Sequence, residues 1–258
     1  VMDHPLSRLN SSGFVCGGVC IGDFNGDGQA DLFLANGPDQ NGLFLQRDGF
    51  RFDNVTEQAG VGGGEAWASG AAAVDFDADG DLDLYVCNYD APNQLFVNDG
   101  TGTRFTDEAE ARGLALVDAS LTPSFTDYDR DGDLDVFVLT YRYYRPGGRP
   151  AKTPVVMRNG RPQILAGYEK YYDLRQVGPS NWTVDTCGRP DRLFRNDGSG
   201  RFTDVSESAG ITEKGHGLSA TWWDHDRDEW PDLYVANDFT DPEHLYRNNG
   251  YGTFTDVL

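Results

Sequence analysis

Four copies of one acidic nine-residue loop constrain this chain more than any other feature. They are D-F-N-G-D-G-Q-A-D (Asp23 to Asp31), D-F-D-A-D-G-D-L-D (Asp75 to Asp83), D-Y-D-R-D-G-D-L-D (Asp127 to Asp135) and D-H-D-R-D-E-W-P-D (Asp224 to Asp232). Each places side-chain oxygens at positions 1, 3, 5 and 9, and three have Gly at position 6. Carboxylates on alternate residues of a tight turn converge on one point, and hard oxygen ligands in that number suit Ca²⁺. Without a cation, two such charges about 4 Å apart repel by about 4 kcal/mol at an effective dielectric near 20. Four chance repetitions of that penalty are a poor explanation. An EF-hand is excluded, because its position 12 must be a bidentate Glu. Here that position is Leu34, Val86, Val138 or Val235.

The loops punctuate a larger repeat. Asp23 and Asp75 lie 52 residues apart, as do Asp75 and Asp127, while Asp127 and Asp224 are separated by 97. A period near 50 is that of a propeller or solenoid, with about 45 residues inserted in the third unit. A small-residue strand enters each loop (Ala71 to Val74, Ser219 to Trp223) and an apolar one leaves it (from Leu32, Leu84, Val136 and Leu233). G-L-F-L, Q-L-F-V, R-L-F-R or H-L-Y-R follows, then an Asn/Asp-Gly turn, then F-D-N-V, F-T-D-E or F-T-D-V. Four short strands joined by such turns predict one antiparallel blade. No stretch shows sustained helical periodicity. The expected units are 14–61, 66–114, 118–211 (with the insertion at 142–190) and 215–258, together one β-propeller-type domain over 1–258.

These loops, followed by L-Y-V-A-N, N-Q-L-F-V-N-D-G-T-G-T-R-F-T-D and A-x-G-L, resemble the FG-GAP/VCBS repeats of β-propellers such as integrin α-subunit heads. Within that family the chain is most similar to the cartilage-acidic-protein (ASPIC/UnbV) group. The insertion ending C-G-R-P-D-R-L-F-R-N-D-G (Cys187 to Gly198) carries part of that likeness. The resemblance implies an all-β propeller of four-stranded blades with up to four structural Ca²⁺ ions. It maps ligands to Asp23, Asn25, Asp27 and Asp31, to Asp75, Asp77, Asp79 and Asp83, to Asp127, Asp129, Asp131 and Asp135, and to Asp224, Asp226, Asp228 and Asp232. Main-chain carbonyls of Gln29, Asp81, Asp133 and Trp230 complete the sets. Two departures stand out. Glu229 replaces the loop glycine, which predicts a weak or distorted fourth site. The four units are also fewer than the family's usual number, so the chain is expected to belong to a longer propeller or an assembly.

The formal charge of −21 is unevenly spread. Between Arg142 and Pro190 nine Lys/Arg face three acids, making the insertion +6 and the rest −27. So acidic a body repels nucleic acid and anionic membranes. The insertion is rich in tyrosine (Tyr141, Tyr143, Tyr144, Tyr168, Tyr171, Tyr172). Arg and Tyr together suit a contact surface. Three readings stay open: a cover over its own blades, a site for a protein partner or a second copy, or a platform for an extracellular glycan.

Cys87 ends the second strand of repeat 2 and Cys187 ends the insertion that grows from the equivalent end of repeat 3, so a bridge between them is plausible, and a bend at Gly17–Gly18 would let Cys16 meet Cys20. Possible disulfides and a Ca²⁺ supply favour an extracellular or cell-surface location. N-x-S/T sequons occur at Asn10, Asn54 and Asn181. Catalytic signatures are not visible: the four histidines (His4, His216, His225, His244) are scattered, and most carboxylates are assigned to ions. The expectation is therefore a calcium-stabilised, non-enzymatic extracellular module for adhesion, surface or matrix binding, or self-assembly. The alternative is a carbohydrate-binding or polysaccharide-lyase-like propeller acting on extracellular glycans.

Overall fold

The computed structural model describes residues 17–258 apart from 38, 239 and 240. It is an all-β, propeller-type structure in which four antiparallel meanders follow one another. The first comprises β1 (Val19–Gly22), β2 (Asp31–Leu34), β3 (Gly42–Arg47) and β4 (Arg51–Asn54). The second is β5 (Trp67–Val74), β6 (Asp83–Pro92), β7 (Gln94–Asn98) and β8 (Phe105–Asp107). In the third, β9 (Val117–Thr126) and β10 (Asp135–Thr140) are separated from their companions by the insertion. It holds two hairpins, β11 (Val155–Arg158) with β12 (Arg161–Ile164) and β13 (Tyr172–Gln176) with β14 (Trp182–Thr186). The chain returns through β15 (Arg189–Pro190) to β16 (Arg192–Asn196) and β17 (Phe202–Asp204). After β18 (Lys214–Gly215), which pairs with β15, the fourth meander is β19 (Gly217–Trp223), β20 (Asp232–Asn237), β21 (His244–Asn248) and β22 (Phe254–Asp256). Each acidic loop is the connection between the first two strands of its meander.

Alternation along the strands places apolar side chains on both faces of each sheet, so that neighbouring repeats bury them against one another. Three clusters result. Phe33, Leu43 and Leu45 meet Leu84, Val86 and Phe96 between repeats 1 and 2. Tyr85, Cys87 and Leu95 meet Val136, Val138 and Phe194 between repeats 2 and 3. Phe137, Leu139 and Leu193 meet Leu233, Val235 and Tyr246 between repeats 3 and 4. The outer end of β6 also pairs with β9 (Tyr89↔Ala119, Pro92↔Val117), joining two repeats in one sheet.

A polar contact accompanies each apolar junction. Asn98 Nδ2 donates to the Phe24 carbonyl in the loop of the preceding repeat at 2.9 Å, and to Leu82 in its own loop at 3.1 Å. Asn196 repeats this with Phe76 and Leu134, and Asn248 with Tyr128 and Pro231. Beside each amide, the aromatic ring at loop position 2 packs on the phenylalanine of the next repeat's last strand: Phe24 on Phe105, Phe76 on Phe202, Tyr128 on Phe254. One buried asparagine thus ties two acidic loops together.

Among the described residues, helix is confined to three single turns after the last strand of repeats 1, 2 and 3 (Thr56–Ala59, Ala109–Arg112, Ser206–Ala209). Each stops at a left-handed glycine, Gly60, Gly113 or Gly210. The A-x-G element of the repeat therefore encodes a turn too short to give a period.

Candidate metal centres

All four loops share one hydrogen-bonded frame. The position-1 carboxylate accepts the N–H groups of positions 5 and 6: Asp23 from Asp27 and Gly28, Asp75 from Asp79 and Gly80, Asp127 from Asp131 and Gly132, Asp224 from Asp228 and Glu229, at 2.7–3.1 Å. The position-5 carboxylate then accepts the N–H of position 7, at Gln29, Asp81, Asp133 and Trp230. These are the residues expected to offer main-chain carbonyls. The frame requires a left-handed backbone at position 6. Gly28 (φ 81), Gly80 (φ 98) and Gly132 (φ 99) adopt it without strain, and Glu229 adopts it at φ 73. The fourth loop is therefore not distorted, contrary to expectation. It follows the common path and bears a backbone strain of about 1 kcal/mol or more.

The position-9 aspartate is the anchor. Asp31, Asp83, Asp135 and Asp232 are almost fully buried. Each accepts the main-chain N–H of the third strand's Gln46, Asn98, Asn196 or Asn248 at 2.7–2.9 Å. Their second oxygens differ in a telling way. Those of Asp31, Asp135 and Asp232 accept the N–H of Phe24, Tyr128 and His225. Asp83 Oδ2 is buried without a well-formed hydrogen bond, and so are Asp77 Oδ1 and Asp129 Oδ1 at position 3 of loops 2 and 3; the nearby main-chain N–H groups of Phe76, Asp79 and Asp131 satisfy these carboxylates only weakly. A buried carboxylate oxygen left so poorly satisfied is costly. Burial pushes the carboxyls of Asp83 and Asp135 up to about 7, and those of Asp31, Asp77 and Asp129 upward as well.

Ligand oxygens converge within 4.8 Å of one another for Asp75, Asp77 and Asp79, for Asp127, Asp129 and Asp135, and for Asp224, Asp226 and Asp228. In loop 1 the amide of Asn25 donates to Asp27, and the Gln29 side chain leans on the same carboxylate. Loop 4 adds a side chain from position 2. His225 Nδ1 lies 2.5 Å from Asp232 Oδ2, so the oxygen that is poorly satisfied in loop 2 has an internal partner here. Loops 2 and 3 therefore fit a cation best, and loops 1 and 4 partly satisfy themselves.

The loops recur in known proteins. The family of FG-GAP-like repeats matches residues 23–86 and 75–138. Residues 23–138 are FG-GAP-like repeats. It is similar to cartilage acidic protein 1 of Xenopus tropicalis, with 28% identity over 149 residues, covering 57% of this chain and 23% of that protein. The Homo sapiens protein of the same name is 28% identical over 128 residues, 49% of this chain and 19% of its own. The Mus musculus one is 27% identical over the same length, at 49% and 20%. The chain thus spans about a fifth of the length of these relatives. Among solved structures, the Photorhabdus luminescens Tc holotoxin pore aligns with 93% of this chain and 12% of its own at 17% identity. Its TM-score of 0.24 carries no argument.

The insertion grips the FG-GAP-like repeats that flank it. Arg189 makes a bidentate pair with buried Asp118 at 2.6 and 2.8 Å and lies over the Tyr143 ring. Lys170 sits 3.7 Å over the same ring and bonds Asp90 at 2.7 Å. Tyr144 donates its N–H to the Tyr89 hydroxyl, and Arg142 stacks on Tyr141 and Tyr144. Tyr141 and Tyr143 are buried, so these two rings present no platform to a sugar. The outer part of the insertion differs: Arg149, Lys152, Arg158 and Arg161 lie near its exposed hairpins, with Met157 and Trp182 on the surface.

Two sequence expectations need correction. Cys20, Cys87 and Cys187 are free thiols, so Cys87 and Cys187 are not bridged. Cys87 turns into the junction between repeats 2 and 3, among Tyr85, Leu95 and Val138, while the Cys187 thiol donates to the Gly188 carbonyl. Cys16, the expected partner of Cys20, lies outside the described residues, as does Asn10; Asn54 and Asn181 are exposed. His216, read as solitary, is buried and joined on both sides. Its Nδ1 meets Asp241 at 2.5 Å and its Nε2 meets the Thr186 hydroxyl at 2.8 Å. This row ties the insertion to repeat 4. His244 likewise bonds Asp256. Nothing local in the sequence marks these partners, which sit 25, 30 and 12 residues away.

Proposed function

We propose that the chain is an extracellular, calcium-stabilised repeat module that serves adhesion, surface or matrix binding, or assembly, and that it is not an enzyme. The observation that carries this reading is the convergence of carboxylate oxygens within 4.8 Å of one another in loops 2, 3 and 4, together with buried, poorly satisfied oxygens on Asp77, Asp83 and Asp129. A hard divalent cation takes six to eight oxygen ligands and would relieve that cost. Asp75, Asp77, Asp79 and Asp83 would hold one ion and Asp127, Asp129, Asp131 and Asp135 another. Asp23, Asn25, Asp27 and Asp31 would form a weaker site, with Asp224, Asp226, Asp228 and Asp232 a second one. A bound ion would supply charge neutralisation to these carboxylates, whose hydrogen bonds with the third strand already hold the loops in place.

The relatives are named for cartilage and for acidity, and this chain's −21 charge shares the second property. No helix is long and apolar enough to cross a membrane among the described residues. These points support a role in the extracellular matrix, where calcium is plentiful, with proteins, copies of the chain or glycans as partners. Thermal unfolding with and without chelator tests the reading. A site occupied at 100 times its dissociation constant contributes about 2.7 kcal/mol, so excess EGTA should lower the midpoint sharply. Asp79→Ala or Asp131→Ala should remove more of that calcium-dependent gain than Asp228→Ala. A melting curve indifferent to EGTA would sink the proposal.

A further inference from the structure

The positive charge of the insertion divides into a part that serves the fold and a part that does not. From Val136 to Tyr168 the chain carries six Lys/Arg and no acid, although 42 of its 258 residues are acidic. Two of the six are engaged. Arg142 stacks on Tyr141 and Tyr144, and Arg145 donates to the Gly148 carbonyl while lying over Tyr168. The other four are Arg149, Lys152, Arg158 and Arg161. All are exposed, and among the described residues none meets a carboxylate, unlike Lys170 and Arg189.

Two of these four are set against each other. β11 and β12 join through Asn159 and Gly160, both left-handed at φ 50 and φ 76, as the two-residue turn that suits twisted strands requires. The register pairs Arg158 with Arg161 across the mouth of that turn. Residues directly opposite hold their Cβ atoms about 5 Å apart on one face, and like charges so placed repel. An anion seated between the two guanidinium groups converts that repulsion into attraction, since each group is a planar fork of donors suited to an oxyanion. Gln163, two residues from Arg161 on the same face, is exposed and adds an amide. Val156, opposite Gln163, is the one apolar side chain of these four positions. The hairpin packs chiefly on β13 of its own insertion.

We propose that the tip of the β11–β12 hairpin binds a sulfated polysaccharide. Arg158 and Arg161 clasp one sulfate, and Arg149 and Lys152, which precede β11 in the chain, extend the contact to others. A protein partner fits this face less well, because the core of a protein interface is apolar and Val156 is all that the face offers. A polyanionic sugar needs no such core, and clustered Lys/Arg suit it. Nucleic acid and anionic membranes present charge over a wider front, which the −27 of the remaining residues repels. A single sugar strand need touch only the tip. The proposal deepens the extracellular binding role given above and rests on it, but it does not depend on the calcium loops.

Heparin, titrated against the 258-residue chain in calcium, tests this. Expected is binding at about 0.1 M salt with a log–log salt slope of about −3, as four contacts releasing about 0.7 of a counterion each would give. Arg158→Ser with Arg161→Ser should halve that slope and weaken binding about tenfold or more, with an unchanged melting curve. Arg158→Lys with Arg161→Lys, which keeps the charge and loses the forks, should keep the slope and lose affinity. Arg51→Ser with Arg104→Ser removes the same charge from exposed sites outside the insertion and should change neither. Desulfated heparin and polyglutamate should bind the parent far more weakly than heparin does. A parent that does not bind heparin overturns the proposal. Equal binding of polyglutamate also overturns it and makes the face a site for acidic protein. Heparin binding that the Arg158 and Arg161 changes leave intact, or that the Arg51 and Arg104 changes weaken as much, is diffuse attraction and overturns it too. A chain that ignores heparin yet melts lower in EGTA loses this site and keeps the calcium reading. One that binds heparin through Arg158 and Arg161 but melts alike with and without EGTA keeps the site and loses the calcium.

Discussion

Asp191 stands at the position that Asn41 and Asn93 occupy in the first two repeats, and it does the same work. Each side-chain oxygen accepts the main-chain N–H of the equivalent residue on or just past the second strand: Asn36 for Asn41, Asn88 for Asn93, Thr140 for Asp191. The asparagines do this as neutral amides. Asp191 must do it as a buried carboxyl, and burial pushes it up to about 7 despite two bonds from Thr140. Between pH 4 and 7 the unfolded chain has lost this proton and the folded chain keeps it. Stability therefore falls as pH rises through that window and levels off above it, by at most about 1.4 kcal/mol per unit. Asp191→Asn should remove this residue's share of the slope, Asp83 and Asp135 keeping theirs, and raise stability above pH 7, as denaturant melts across pH 4 to 8 would show. A loss of stability at pH 8 would mean that the ionised carboxylate is wanted. The same scale separates readable residues from unreadable ones. The alternating acids announce a cation loop because neighbouring residues carry the chemistry. That Asp83 Oδ2 lacks a well-formed hydrogen bond while Asp232 Oδ2 is held by His225 depends on rotamers and burial, which spacing alone does not encode.

At the scale of the element, the contact that matters most is an asparagine that the sequence presents as a mere turn former. Asn98, Asn196 and Asn248 do open their N-D-G or N-N-G turns, through Gly100, Gly198 and Gly250. Their amides meanwhile reach carbonyls 74 or 120 residues away. Asn196→Ala or Asn248→Ala should cost about 2–4 kcal/mol in urea unfolding, since each strands two buried acceptors. Gln46→Ala, whose side-chain amide meets only that of Gln29 in its own loop among the described residues, should cost under about 1 kcal/mol. Equal losses at all three positions would reduce the amide to a turn former. The strands themselves were legible because apolar residues and Gly-containing turns recur at fixed offsets. The single-turn helices were not, since four residues are too few to set a period. Nor was the insertion's hold on the blades, which depends on where a long excursion returns.

For the whole molecule, the distribution of charge is the main tension. A +6 segment lies on a −27 body, and the inner part of that segment is used up at home. Arg189 and Lys170 neutralise Asp118 and Asp90, the former almost fully buried. Arg189→Ala should destabilise the chain by about 3–5 kcal/mol by leaving Asp118 charged and unpaired in the interior. Asp118→Asn in the same background should recover much of that loss in a double-mutant cycle. If Arg189→Ala melts like the parent, the insertion is not a brace, and its whole length is available to partners.

The polar part of the link between repeats is one asparagine amide and one main-chain carbonyl, and a carbonyl is present whatever residue occupies loop position 2. Phe24, Phe76 and Tyr128 therefore pass the same requirement along the chain without having to match particular partners. A lineage can lengthen or shorten such an array by unequal exchange between genes without redesigning its joints. An excursion as long as that between Arg142 and Pro190 can be spliced into one unit because the joints on either side remain standard. Variation in repeat number among related genes is thus the natural historical signature of this way of connecting blades.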